Sequence, residues 1–161
     1  MSDNSCLSQL KEEYNKLEKK YSLPDFQKMN HDFQIEKIAE SETDTLLREV
    51  RKFIGEKFSS YLRFIEAILN PVNSPMFVFT FIKTLSETDK EKLTDVYKRL
   101  AKSEIEHIER DLIYSEEKEA ELIKNSYENW QEIKQVLLPV FENIGKNWDN
   151  RFETNKRGYF G

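Results

Sequence analysis

The chain has 161 residues, 30 of them acidic and 25 basic, for a net charge of −5. That is about one domain's length, and a chain of this size hides roughly 70% of the surface its unfolded form exposes, so it needs no disulfide or metal to stay folded. Four glycines, four prolines, two histidines and one cysteine argue against a β sandwich, a Gly-rich phosphate loop, a multi-ligand zinc or iron–sulfur site and a disulfide scaffold.

No run reaches the roughly 18–20 apolar residues of a membrane-spanning helix. The opening Met1-Ser2-Asp3-Asn4-Ser5 shows no basic stretch followed by an apolar one, the pattern of a signal peptide. With the lone Cys6 these features predict a cytoplasmic protein without membrane contact. The acid excess disfavours nonspecific binding to a phosphate backbone.

Leu7, Leu10, Tyr14, Leu17 and Tyr21 recur at steps of three and four, which predicts a first helix over 5–21. Ser22-Leu23-Pro24 ends it. A connecting stretch follows to Ala39, with a short helical turn from Pro24 and Phe26, Met29, Phe33, Ile35 and Ile38 as anchors to a core. Ser41-Glu42-Thr43-Asp44 fits a capping box in its acidic variant. It precedes a helix whose face runs from Leu46 through Val50, Ile54, Phe58 and Ile65 to Leu69, closed by Asn70-Pro71.

Ser74 and Pro75 then read as the cap and first residue of another helix. Phe77, Phe79 and Phe81 alternate as in a strand, but no partner strand exists for the backbone groups. The segment 76–85 is therefore expected to be a short buried helix. Thr88-Asp89-Lys90-Glu91 is a second capping box. It opens a helix with Leu93, Val96, Leu100, Ala101, Ile105, Ile108 and Leu112 expected on one apolar face. Ser115 caps the last helix, whose face carries Ile123, Trp130, Ile133, Leu137, Val140 and Ile144. Pro139 is expected to kink it.

Such stripes are hidden only against one another. They predict an all-α fold: an antiparallel four-helix-type bundle over 1–149, a short Phe-rich helix at one end, and a flexible tail over 150–161.

Tyr21-Ser22-Leu23-Pro24-Asp25-Phe26, Thr45-Leu46-Leu47-Arg48-Glu49-Val50-Arg51-Lys52, Asn70-Pro71 and Glu119-Ala120-Glu121-Leu122-Ile123-Lys124 followed by Trp130 make the chain resemble an uncharacterised family of small helical proteins associated with archaea. The resemblance covers roughly residues 7 to 148. It implies the architecture and no activity, cofactor or site.

Chemistry-bearing groupings are few. Glu104 and His107 form a Glu-x-x-His pair, with Asp111 along the same line at the border of the apolar stripe. Di-iron bundles use two such pairs plus further carboxylates; here the other histidine, His31, has no glutamate three residues before it. The line reads as a charged helix edge with an incidental histidine, with metal binding and a buried polar contact as alternatives. No nucleophile–base–orienter set assembles around Cys6 or any serine, and no cofactor is expected.

The apolar Met76, Phe77, Phe79, Phe81 and Ile82, and the tail's Arg157, Tyr159 and Phe160, are the candidate partner-binding residues. The reading is a non-enzymatic protein-interaction or assembly module working through an apolar helical surface, with a protein partner or self-association expected. Its alternatives are a metal-binding bundle built on Glu104 and His107, and a nucleic-acid-associated protein using the basic-aromatic tail.

Overall fold

The computed structural model describes residues 2–159, with side chains described for 4–150. Its elements are α1 (Ser2–Tyr21), α2 (Phe26–Phe33), a 3-10 helix (Ile35–Glu40), α3 (Leu46–Leu69), α4 (Met76–Thr84), α5 (Glu87–Leu112) and α6 (Glu116–Tyr159). The described residues contain no strand, and the Phe-rich segment is helical as the missing partner strand demanded. α6 continues through Pro139 as one helix, and residues 150–159 fall within its bounds. The side chains of Arg157, Tyr159 and Phe160 lie outside the described residues.

Three helix starts differ from the sequence expectation. The carbonyl of Thr45 takes the first helical bond of α3, from Glu49 N–H at 3.2 Å, so α3 begins beyond the expected capping box. Ser86 rather than Thr88 caps α5, its hydroxyl accepting from Asp89 N–H at 3.1 Å and its carbonyl from Lys90 N–H at 3.0 Å. Pro75 rather than Ser74 is the capping residue of α4, and the Ser74 hydroxyl donates instead to the Ala67 carbonyl. Ser115 caps α6 as expected, its carbonyl accepting from Glu119 N–H at 2.9 Å. Of the three corrected starts, that of α5 has a side chain accepting from one of the orphan N–H groups that a helix start leaves, Ser86 Oγ from Asp89; Pro75 makes no side-chain cap bond at α4.

The chain forms two compact units, Met1–Ser59 with Lys102–Trp130 and Ser60–Ala101 with Gln131–Gly161. In the first, Leu10 and Tyr14 of α1 are buried with Phe26, Met29 and Phe33 of α2 and with Ile35 and Ile38. The Tyr14 hydroxyl donates to the Pro24 carbonyl at 2.6 Å, so the N-terminal stripe is satisfied within its own chain. Phe58 and Trp130 pack with ring centroids 5.7 Å apart, and Phe33 lies 6.3 Å from Trp130.

Within this unit Arg48 reaches Arg110, Arg51 reaches His107 and Ser59 reaches Glu104. Rising numbers on α3 meet falling numbers on α5, so these stretches run antiparallel. His107 meets Ser126 and Ser103 meets Asn129, which makes α5 and α6 antiparallel there too.

The second unit buries Ile65, Ile68, Val78, Leu93, Val96, Leu100, Ile133, Leu137 and Val140. The Phe81 ring lies tilted 5.4 Å from Trp148 and edge to face 5.6 Å from Phe77, and Phe64 lies edge to face 6.0 Å from Phe141. α4 buries fully only Val78; Met76, Phe77 and Phe79 are exposed, and Phe81 and Ile82 half-buried. The expected buried helix thus hides one side only. Among the described residues no helix is long and apolar enough to cross a membrane.

Candidate functional site on helix α5

The character of α5 changes along its length. The core-facing line Leu93, Val96, Leu100, Ser103, His107, Arg110 advances by steps of three and four, which is one side of a helix. Its first three members are fully buried and apolar, while Ser103 and His107 are buried and polar. The opposite line Thr94, Lys98, Ala101, Ile105, Ile108, Leu112 changes the other way. Ile105, Ile108 and Leu112 are 68%, 57% and 79% exposed.

The expectation that these three face the core is therefore overturned. So is the reading of His107 as an incidental residue on a charged edge. The apolar face followed from Leu93 to Leu112 was two faces, joined across Leu100 and Ala101.

What lies beneath is a network of charges. Arg51 of α3 is 2% exposed and Glu119 of α6 is wholly buried. The Arg51 Nε donates to Glu119 Oε2, its Nη2 to Asp111 Oδ1, and its Nη1 to the His107 carbonyl at 3.1 Å. Arg48 Nε donates to Glu119 Oε1 at 3.3 Å and its Nη2 to the Arg110 carbonyl at 3.1 Å. The Arg48 guanidinium also lies 5.1 Å from the Tyr114 ring centroid. Two guanidinium groups face two carboxylates, so the cluster carries no net charge, which is what burial demands.

Gly55 explains how His107 fits. A Cβ at Gly55 would stand 3.1 Å from His107 Nδ1, so the missing side chain lets the imidazole lie against α3. His107 Nε2 meets Ser126 Oγ at 3.2 Å, and Nδ1 has no hydrogen-bond partner among the described residues. Phe58 packs on the same ring at 6.0 Å. Burial, reinforced by the Arg51 charge and opposed by Asp111, pulls the imidazole down to about 4, so it is neutral at pH 7. The hydrogen bond from Arg51 holds the Asp111 carboxyl below its usual range.

Chemically, this arrangement commits its ionised groups to one another. The Ser59 hydroxyl donates to Glu104 at 3.1 Å, so Glu104, His107 and Asp111 each have separate partners on α3 or α6. Among the described residues no group of three or more His, Cys, Asp and Glu side chains is placed to hold a metal ion. An open groove of about 280 Å³ borders α5 and α6, with Glu106, Glu109 and Glu121 mixed with Arg110 and Lys118.

The sequence reading missed Arg48, Arg51, Gly55, Glu119 and Ser126 as parts of one assembly. The available signal was a charge set into an apolar stripe, Arg51 between Leu47 and Ile54, and a glycine in mid-helix, where glycine costs about 1 kcal/mol relative to alanine. Of the expected partner-binding residues, Met76, Phe77 and Phe79 present apolar surface on α4. Comparison with protein-family models, with curated proteins and with solved structures finds no match for this chain.

Proposed function

We propose that the chain is a non-enzymatic interaction or assembly module of the cytoplasm, working through the apolar outer face of α5. One observation carries this reading: α5 turns Ile105, Ile108 and Leu112 to solvent while the side chains beneath it are charged. Each of those three forgoes roughly 1.5–3 kcal/mol of burial in the isolated chain. A buried ion pair is seldom more stabilising than apolar packing. An arrangement that is poor for the lone chain is economical for one that spends its time covered.

Exposed Met76, Phe77 and Phe79 make α4 a second apolar surface of the same kind. The antiparallel contacts of α5 with α3 and α6 support a four-helix-type bundle, with α4 at one end, as the scaffold that holds these surfaces.

The test is a photo-crosslinking residue placed in the full chain at position 108, and in a second protein at the exposed charged position 117. Irradiation in extract of the native cell should give a discrete protein adduct from position 108 and none from 117. Equal or absent labelling at both positions contradicts the proposal.

A further inference from the structure

We propose that the C-terminal half of α5 is a register switch latched by Asp111: a slip of one residue puts Ile108 in the place of His107 and Leu112 in the place of Asp111, and so withdraws the apolar outer face. This rests on the reading of that face as an interaction surface and names how it is regulated.

The two faces of α5 are one residue out of phase. Each exposed aliphatic side chain directly follows a polar one held from within. Ile105 follows Glu104, which Ser59 reaches; Ile108 follows the buried His107; Leu112 follows Asp111, which Arg51 reaches. A helix that takes one extra residue into a turn, as at a π-bulge, carries everything beyond that turn about 1.5 Å back and about 100° round. With the extra residue near Ala101 and Lys102, Leu93, Val96 and Leu100 stay in the core. Beyond it, every residue takes the place of the one before. Ile108 enters the buried place of His107, and Ile105 and Leu112 enter the part-buried places of Glu104 and Asp111. Glu106 and Glu109 come to the outer positions that Ile105 and Ile108 leave.

Most of what holds this half of α5 survives such a slip. The Arg51–Glu119 pair joins α3 to α6 and contains no α5 side chain. Arg51 and Arg48 also donate to the backbone carbonyls of His107 and Arg110, and after the slip the carbonyls of Ile108 and Asp111 stand there instead. Among the described residues His107 Nδ1 has no hydrogen bond to lose. Gly55, with no side chain, leaves the incoming isoleucine the room that the imidazole uses.

The slip breaks the side-chain contacts of His107 with Ser126, Ser103 with Asn129, Ser59 with Glu104 and Arg51 with Asp111. Of these four the last alone joins α5 to the buried charges, which makes Asp111 the latch. The slip also carries the Glu104 carboxylate into the buried place of Ser103, which disfavours it, so the observed register is the major one.

Methyl NMR of the full chain with a paramagnetic co-solute tests this. Removing a bond to a charged group shifts a two-state balance about 10-fold, so a register held by about a tenth of the chains rises to about half. In Asp111→Ala the Ile108 methyls should therefore lose about half their broadening, while those of Ile113, exposed in both registers, keep theirs. Adding Ile108→Lys, whose ammonium is excluded from the buried place of His107 beside Arg51, should return Ile105 to its wild-type broadening.

Ile108 methyls as broadened in Asp111→Ala as in the wild type overturn the inference. So does a sheltering of Ile105 that persists when Ile108→Lys is added. Sheltering in Asp111→Ala together with no crosslink from position 108 would leave the switch standing and fail the interaction reading, whereas a crosslink without sheltering does the reverse.

Discussion

Replacing Glu119 by alanine attacks the structure where it is least able to relax. The wild-type carboxylate is wholly buried and accepts from both Arg48 and Arg51. Removing one partner of a buried pair costs about 3–5 kcal/mol, chiefly because a buried charge is left behind. Arg51 keeps Asp111 and the His107 carbonyl, and Arg48 is part-exposed and free to turn outward. The lower end, about 3 kcal/mol, is therefore expected. Against a total stability of roughly 5–15 kcal/mol that is a large loss, equivalent to a Tm drop of about 6–12 °C for a chain of this length.

Urea unfolding should show the loss as a lower midpoint at unchanged slope. The double variant Arg51→Met with Glu119→Leu, which removes the pair together, should recover most of it. A cost below about 1 kcal/mol for Glu119→Ala, or a double variant as unstable as the two singles combined, would refute the claim that this pair is buried and mutually dependent.

Three further outcomes follow from the same geometry. The His107 imidazole sits at about 4 in the fold against about 6.5 when unfolded, so below pH 6.5 the unfolded chain takes up the proton first. Stability should be full above that pH and fall between about 6.5 and 4, by up to roughly 3 kcal/mol. A His107→Gln variant should lack that slope when urea midpoints are compared across the range, and an equal slope in both proteins would contradict the assignment.

Gly55→Val should destabilise by about 1–2 kcal/mol in the same assay, because its side chain enters the space His107 occupies. Gly55→Ala should be near neutral, its helix gain of about 1 kcal/mol offsetting the close contact. Pro139→Ala should raise stability by about 1–3 kcal/mol in thermal unfolding, since proline withholds a helical hydrogen bond within α6; no gain would contradict that reasoning.

The helices were legible because their signals are local and redundant. Leu10 and Tyr14, Val50 and Ile54, and Ile123 and Trp130 all recur at helical spacing and all end buried. Ser115 and Pro71 punctuate them where backbone sterics require. The Phe-rich α4 was legible by elimination, for want of a partner strand. α5 was not, because periodicity reports which residues share a face and not which face turns inward. Reading hydrophobicity alone carries the eye from Leu100 to its neighbour Ala101, about 100° round the helix, and from there by a step of four to Ile105, which crosses from one side of the helix to the other.

Deciding between the sides needed the neighbours. Arg51 and Glu119 are 68 positions apart in the chain, and only the fold brings them together beside the His107 carbonyl, with Ser126 against the His107 ring and Asn129 against Ser103. Asp111, correctly aligned with His107 in the sequence, was for the same reason assigned to an edge rather than to a network. A charged residue inside an otherwise apolar stripe is the one local hint of such a meeting, and it names no partner.

The most direct measurement of the central claim follows the isoleucine methyl groups by NMR in the presence of a paramagnetic co-solute. In dilute protein the methyls of Ile105 and Ile108 should broaden strongly while those of Ile123 and Ile133 stay sharp. Methyls at 105 and 108 as sheltered as that of Ile123 in the dilute monomer would place the apolar side of α5 against the core and contradict the account.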